Sequence, residues 1–179
     1  MKITLLGLNH ELQWKDPTGD LHRILNELIS NSHIDLIAEE AFGLPSTVAQ
    51  RLAFKLNKPW IDIDMSTADR MARAINKPVQ RWGVIEKEGK IVGEVFAYVP
   101  EVDDVREEHW LTRLLRWKPE TAVCLCGRLH IESFTEKLQQ KGCSVEHLNL
   151  TEQSWFRDLY GIYTMLEKGG SRRLEIRCG

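Results

Sequence analysis

The chain has 179 residues, with 24 Lys+Arg against 26 Asp+Glu and a formal charge of −2, so the basic excess of a general nucleic-acid binder is missing. Its 42% hydrophobic and 28% charged residues describe one globular domain over 1–179 rather than a disordered chain. No apolar run nears the roughly 20 residues that span a membrane, and Met1 to Gly7 meets Asn9, His10 and Glu11 too soon for a signal peptide.

In chain order, Lys2 to Leu6 predicts a strand, and Asp20 to Ser30 a helix with Leu21, Ile24, Leu25 and Leu28 on one face and Asp20 as cap. Ile34 to Ala38 is a second strand, running into Glu39-Glu40. Pro45 to Leu56 predicts a helix, Pro59 to Ile63 a strand, and Ser66 to Ile75 a helix stopped by Asn76-Lys77-Pro78. Residues 82–99 break the rhythm with a β-hairpin insertion ended by Pro100. A helix capped by Asp103 or Asp104 then runs to Arg116, with Val105, Trp110, Leu111, Leu114 and Leu115 as its apolar side. Thr121 to Cys126 is a strand, Ile131 to Lys141 a helix closed by Gly142, Cys143 to Leu148 a strand, and Thr151 to Leu166 a helix. Repeated β-α units predict an α/β fold, a mostly parallel sheet with helices on both faces.

Ligands of such sheets bind at the carboxyl ends of the strands. The first strand delivers Gly7-Leu8-Asn9-His10, the second Glu39-Glu40, the third Asp62-Ile63-Asp64, and the fourth Gly127-Arg128-Leu129-His130. A glycine followed three residues later by histidine occurs twice, which aims an imidazole back over the edge near a helix N-terminus. A neutral imidazole serves as metal ligand or general base. His10, His130 and Glu39 or Glu40 therefore form the candidate site. Alternation along a strand lets only one of the adjacent glutamates face it, the other turning to solvent or to Arg70 or Arg73. Asp64 serves either this site or the cap of the next helix. His22, His33 and His147 read as surface residues. Cys124, Cys126, Cys143 and Cys178 read as reduced thiols of a cytoplasmic chain, with Cys124 and Cys126 in a buried strand.

His10-Glu11-Leu12-Gln13-Trp14 has Trp where a zincin helix needs its second histidine, and the glycine-rich nucleotide loops and the Gly-x-Ser-x-Gly elbow are absent. With Gly7 to His10, Gly127 to His130, a glutamate after the second strand, and Arg106-Glu107-Glu108-His109-Trp110 before the late motif, residues 1–150 resemble the erythromycin esterase/ChaN/TraB/Tiki superfamily. The resemblance implies an α/β fold with a His/Glu site, hydrolytic in some members, metal-dependent in the Tiki-like proteases, and haem-binding in others. It also brings in Arg106, to hold an anionic substrate group or developing charge. Glu11 departs from the small residue often found after the first histidine, and the chain is shorter than most members.

The expectation is a small hydrolase of an ester or amide, on a small-molecule or peptide substrate, without nucleic acid or membrane. The site works either with His10, Glu40 and His130 as ligands of a divalent transition metal (Zn, Mn, Co or Fe) or without metal, as a base activating water. The alternatives are a non-catalytic module binding a metal, haem or small ligand, or an interaction protein with a vestigial site.

Overall fold

A computed structural model describes residues 1–41, 43, 46–73, 75, 79–87, 90–98, 100–160, 162–168 and 171–177, with 79–101 and 159–177 described by their backbone course. The α/β expectation holds: a five-stranded, all-parallel sheet is built from β1 (Lys2–Leu8), β2 (Leu36–Glu39), β3 (Trp60–Asp62), β6 (Thr121–Gly127) and β7 (Ser144–Asn149). Its order is β3-β2-β6-β1-β7, so the late strand β6 slots between β1 and β2.

Side-chain alternation divides the core between the two faces. Ile3, Leu5, Leu36, Ala38, Ala122, Cys124 and Cys126 pack on one face, against Trp110, Leu111 and Leu114 of α5 (Pro100–Trp117) and Phe134 and Leu138 of α6 (Ile131–Gln140). Leu6, Leu8, Ile37, Val123 and Leu125 pack on the other face. Against them lie Leu12 of α1 (Leu12–Lys15), Leu21 and Leu25 of α2 (Asp20–Asn31), Val48 and Leu52 of α3 (Val48–Lys55) and Phe156 of α7 (Ser154–Tyr160). Helices thus cover both faces, as the repeated β-α units predict.

Several boundaries differ from the expectations for local reasons. The helix expected from Pro45 starts at Val48, where the Thr47 hydroxyl caps the Gln50 amide. The carboxylate of Asp16, not Asp20, accepts from the Leu21 and His22 amides at the head of α2. Helix α4 (Thr67–Ala72) carries the expected Ser66 cap, and Gly142 stands at φ +78° after α6. Helix α5 opens at Pro100, so Asp103 and Asp104 lie inside it and neither is its expected cap; a first-turn proline forfeits no helical hydrogen bond.

The largest correction is at the carboxyl end. The helix expected over Thr151 to Leu166 is a 3₁₀ turn (Leu150–Glu152), the short α7, and then strand β8 (Ile162–Lys168). Ile162, Tyr163 and Thr164 suit a strand, and β9 (Ser171–Arg177) pairs with them antiparallel. β4 (Val79–Lys87) and β5 (Lys90–Tyr98) also pair antiparallel, and the order β4-β5-β9-β8 makes a second sheet. The turn of the hairpin expected over 82–99 falls at residues 88 and 89, outside the described residues. Among the described residues, no helix is long and apolar enough to cross a membrane.

Candidate active site

Three neighbouring strands, β1, β6 and β2, end side by side, with Leu8 opposite Gly127 and Glu39 opposite Leu125. The pleat continues one residue past β2, where the Glu40 amide donates to Leu125 O at 2.9 Å. Glu39 therefore shares the face of Ile37, and Glu40 the face of Leu36 and Ala38. Both glutamates are buried, so the expectation that one turns to solvent or to Arg70 or Arg73 is overturned.

Glu39 lies in a pocket of neutral donors. It accepts from Gln13 Nε2 at 2.9 Å, Thr47 Oγ1 at 2.5 Å and Trp60 Nε1 at 2.8 Å. Burial dominates and raises its pKa in spite of these bonds. Glu40 lies on the other face, among charges. Its Oε2 accepts from the Gly127 amide at 2.7 Å, and its Oε1 accepts from Arg106. Burial alone would raise its pKa, but His10, Arg106, His130 and the Gly127 amide together outweigh that and hold it at about 2.

The two histidines flank Glu40. His10 Nε2 stands 3.8 Å from Glu40 Oε1, and His130 Nε2 stands 4.0 Å from the same oxygen. His10 is partly exposed; His130 is 3% exposed, its ring edge-on to Trp110 with centroids 4.6 Å apart.

Hydrogen bonding decides which ring nitrogen of each carries the proton. The Gln13 amide nitrogen donates to Glu39 Oε1 and to the Glu40 carbonyl, both at 2.9 Å, so its oxygen faces His10 Nδ1 at 2.8 Å. Turning the amide over would set oxygen against two acceptors. His10 Nδ1–H is therefore the donor, and Nε2 is the ring nitrogen that faces Glu40. His130 Nδ1 lies 2.8 Å from Glu107 Oε1, which also accepts from Ser133 Oγ at 2.6 Å. A carboxylate only accepts, so His130 too carries its proton on Nδ1 and presents Nε2. Carboxylate or amide partners behind a histidine are the arrangement that orients imidazoles toward metals or reacting water.

The glycines of the two Gly-x-x-His motifs serve close approach. A Cβ on Gly7 would stand 1.9 Å from Ile131 Cδ1. A Cβ on Gly127 would stand 3.2 Å from His10 Nε2 and 3.4 Å from Glu40 Oε2. Gly127 has φ −55°, so it is the space, not a left-handed backbone, that glycine satisfies there.

Arg106 is buried and spread over three carboxylates: Glu40 Oε1, Asp64 Oδ1 at 3.3 Å and Asp103 Oδ1 at 3.3 Å. Its guanidinium charge is thus engaged by Glu40, Asp64 and Asp103. Asp64 is not the cap of α4, a role filled by Ser66; it binds Arg70, Arg106 and Trp110 Nε1. Asp62 holds the loop after β2 through the Ala41 and Gly43 amides. Glu11 is exposed and pairs with Lys15.

The sequence reading missed Gln13, Asp103 and Glu107. Asp103, Arg106, Glu107 and Trp110 recur at the i, i+3, i+4, i+7 spacing of one helical face, and all four are buried. That spacing was the available signal, hidden because an inward face is ordinarily sought among apolar residues.

Compared with models of protein families, with curated proteins and with solved structures, the chain finds no match.

Proposed function

We propose that this protein is a hydrolase of an ester or amide, its water held between His10 and His130 above Glu40. The observation that carries the reading is the shared tautomer: both imidazoles bond through Nδ1–H and turn Nε2 toward one carboxylate oxygen, 3.8 and 4.0 Å away. As the water oxygen adds to the carbonyl carbon, its proton passes to Nε2 of His10. The same proton goes to the departing alkoxide or amine as the C–O or C–N bond breaks. The imidazolium formed in between is stabilised by Glu40, which with a pKa of about 2 is ionised throughout and is no base itself. Access comes from the half-exposed His10 side, which suits a small molecule or the end of a peptide.

His10 Nε2, His130 Nε2 and Glu40 Oε1 would hold a divalent transition ion, which when bound supplies Lewis acidity and a more acidic water. The reading agrees with the superfamily resemblance carried by the two Gly-x-x-His motifs. A cytoplasmic setting goes with it, since Cys124, Cys126 and Cys143 are free thiols.

The test is turnover of an ester and amide panel by chelator-treated protein, alone and with Mn, Co or Zn. Hydrolysis that disappears in His10→Ala supports the proposal; no hydrolysis under any condition overturns it. A second reading, a binding module without turnover, draws on the engagement of both Glu40 oxygens by Arg106 and Gly127. It predicts that the parent binds a ligand or metal without forming product, and that His10→Ala loses that binding.

A further inference from the structure

We infer that Asp103 is a fourth donor of this site, which is built to take a divalent cation between two imidazoles and two carboxylates. The inference rests on the placement of His10, Glu40 and His130 in the reading above and adds a group that neither the strand-end motifs nor the resemblance supplies.

Asp103 reaches the site from α5, on the turn before Arg106. Its side chain is 6% exposed. Its Oδ1 stands 3.3 Å from Arg106 and 3.8 Å from His130 Nε2. Its Oδ2 is buried with no hydrogen-bond partner among the described residues. A carboxylate oxygen left in that state is costly, and native proteins retain such groups where a ligand, ion or water completes them.

The donors form a chain with nearly constant spacing. His10 Nε2 to Glu40 Oε1 is 3.8 Å, Glu40 Oε1 to His130 Nε2 is 4.0 Å, and His130 Nε2 to Asp103 Oδ1 is 3.8 Å. Donors sharing one ion at about 2.1 Å stand roughly 3.0–3.4 Å apart. As placed, no group of three or more such side chains among the described residues is set to hold a metal ion, so binding requires these donors to move toward one another. The space is kept by Gly127, where a Cβ would crowd His10 Nε2 and Glu40 Oε2.

Charge points the same way. In the connected network of described residues, Glu40, Asp64, Asp103 and Glu107 are carboxylates, and Arg70 and Arg106 are the guanidinium groups. Carboxylates outnumber guanidinium groups in this set, and buried negative charge calls for a counter-charge. A cation suits that imbalance. Two carboxylates beside two imidazoles favour Mn(II) or Fe(II) over an ion bound chiefly by sulfur.

The experiment uses the whole chain, stripped with chelator and titrated with Mn(II), following the EPR signal of free Mn(II) and the melting temperature. The parent is expected to bind about one Mn(II) and to melt higher, since binding to the folded state alone stabilises it. Asp103→Asn keeps the shape of the side chain and is expected to weaken binding at least about tenfold; Asp103→Ser makes the same comparison if the amide is not accommodated. Equal binding by the parent and the Asp103 variants, with loss only in His10→Ala, overturns the role of Asp103 and leaves the His/Glu site standing. Absence of Mn(II) binding by the parent overturns the inference outright. Metal-free hydrolysis by that same protein would still uphold the reading of the preceding section.

Discussion

Glu39 and Glu40 are chemically identical neighbours with opposite environments, because one residue of strand pleat sends them to opposite faces. Desolvation raises the pKa of Glu39, while at Glu40 burial is outweighed by His10, Arg106, His130 and the Gly127 amide, which hold it at about 2, below the ordinary carboxylate value of 4.5. The sign of the linkage follows from that depression. Ionised Glu40 contributes stability above the unfolded-state pKa of 4.5, and the contribution is lost as pH falls toward 2. Its size is about 3 kcal/mol on the linkage scale. Glu40→Gln is therefore expected to unfold about 3 kcal/mol more easily at pH 7, and the gap should narrow between pH 4.5 and pH 2 in denaturant titrations. A constant gap would mean that the carboxylate charge is not what stabilises the site. The histidines differ in the same residue-level way. His130 is buried against Trp110, so His130→Ala should cost about 2–3 kcal/mol. His10→Ala, at a partly exposed position, should stay within about 1 kcal/mol. Gln13→Leu removes the acceptor that keeps the proton on His10 Nδ1. Ring ¹⁵N shifts should show His10 moving toward the Nε2–H tautomer while His130, held by Glu107, does not change.

Elements place these side chains by packing. The strand-end turns after β1 and β6 approach so closely that a side chain at either glycine meets the neighbouring element. Gly7→Ala drives a methyl into Ile131 at the head of α6 and should cost about 1–3 kcal/mol as overpacking. Adding Ile131→Val should recover part of the loss, a coupling that a double-mutant cycle in urea would measure. Gly127→Ala is the contrasting case, with an ordinary backbone and a Cβ directed at His10. Its stability should change by no more than about 1 kcal/mol, while turnover or metal affinity falls at least about tenfold. A large loss of stability with the site intact would assign Gly127 to packing instead. Helix α5 is divided along its length. Its first turns bury Asp103, Arg106 and Glu107, and its later turns bury Trp110, Leu111 and Leu114. The helix thus anchors itself in the core at one end and supplies polar groups to the strand ends at the other.

In the molecule as a whole, the central strands β1, β2 and β6 of the parallel sheet are buried on both faces, and the thiols of β6 follow that burial. Cys124 and Cys126 are fully buried in β6 between β1 and β2, and burial pushes both thiols far up, so they are poor nucleophiles in the native state. A thiol reagent should react slowly with the folded protein and count four thiols after unfolding; two or fewer would contradict the reduced state. Much of this plan was legible in the sequence. Repeated β-α units predicted the parallel sheet. Matched Gly-x-x-His motifs at strand ends predicted that His10 and His130 share an edge with Glu39 or Glu40, because a strand's direction fixes where its last residues go. The period of two also required the two glutamates to part. The carboxyl-terminal strands were misread as helix because a short run with residues suited to either state is decided by whether a partner strand pairs with it, and β9 does. The order β3-β2-β6-β1-β7 was likewise beyond local pattern. It depends on β6 entering between β1 and β2, and that single insertion brings Gly127 and His130 to Glu40. So too were the roles of Gln13, Asp103 and Glu107. A polar side chain acquires a function from what faces it, and those neighbours lie 23 to 27 residues away for the contacts of Gln13 with Glu39 and Glu40 and of His130 with Glu107. Composition and periodicity report which residues leave water, whereas only the tertiary structure decides which buried polar groups meet.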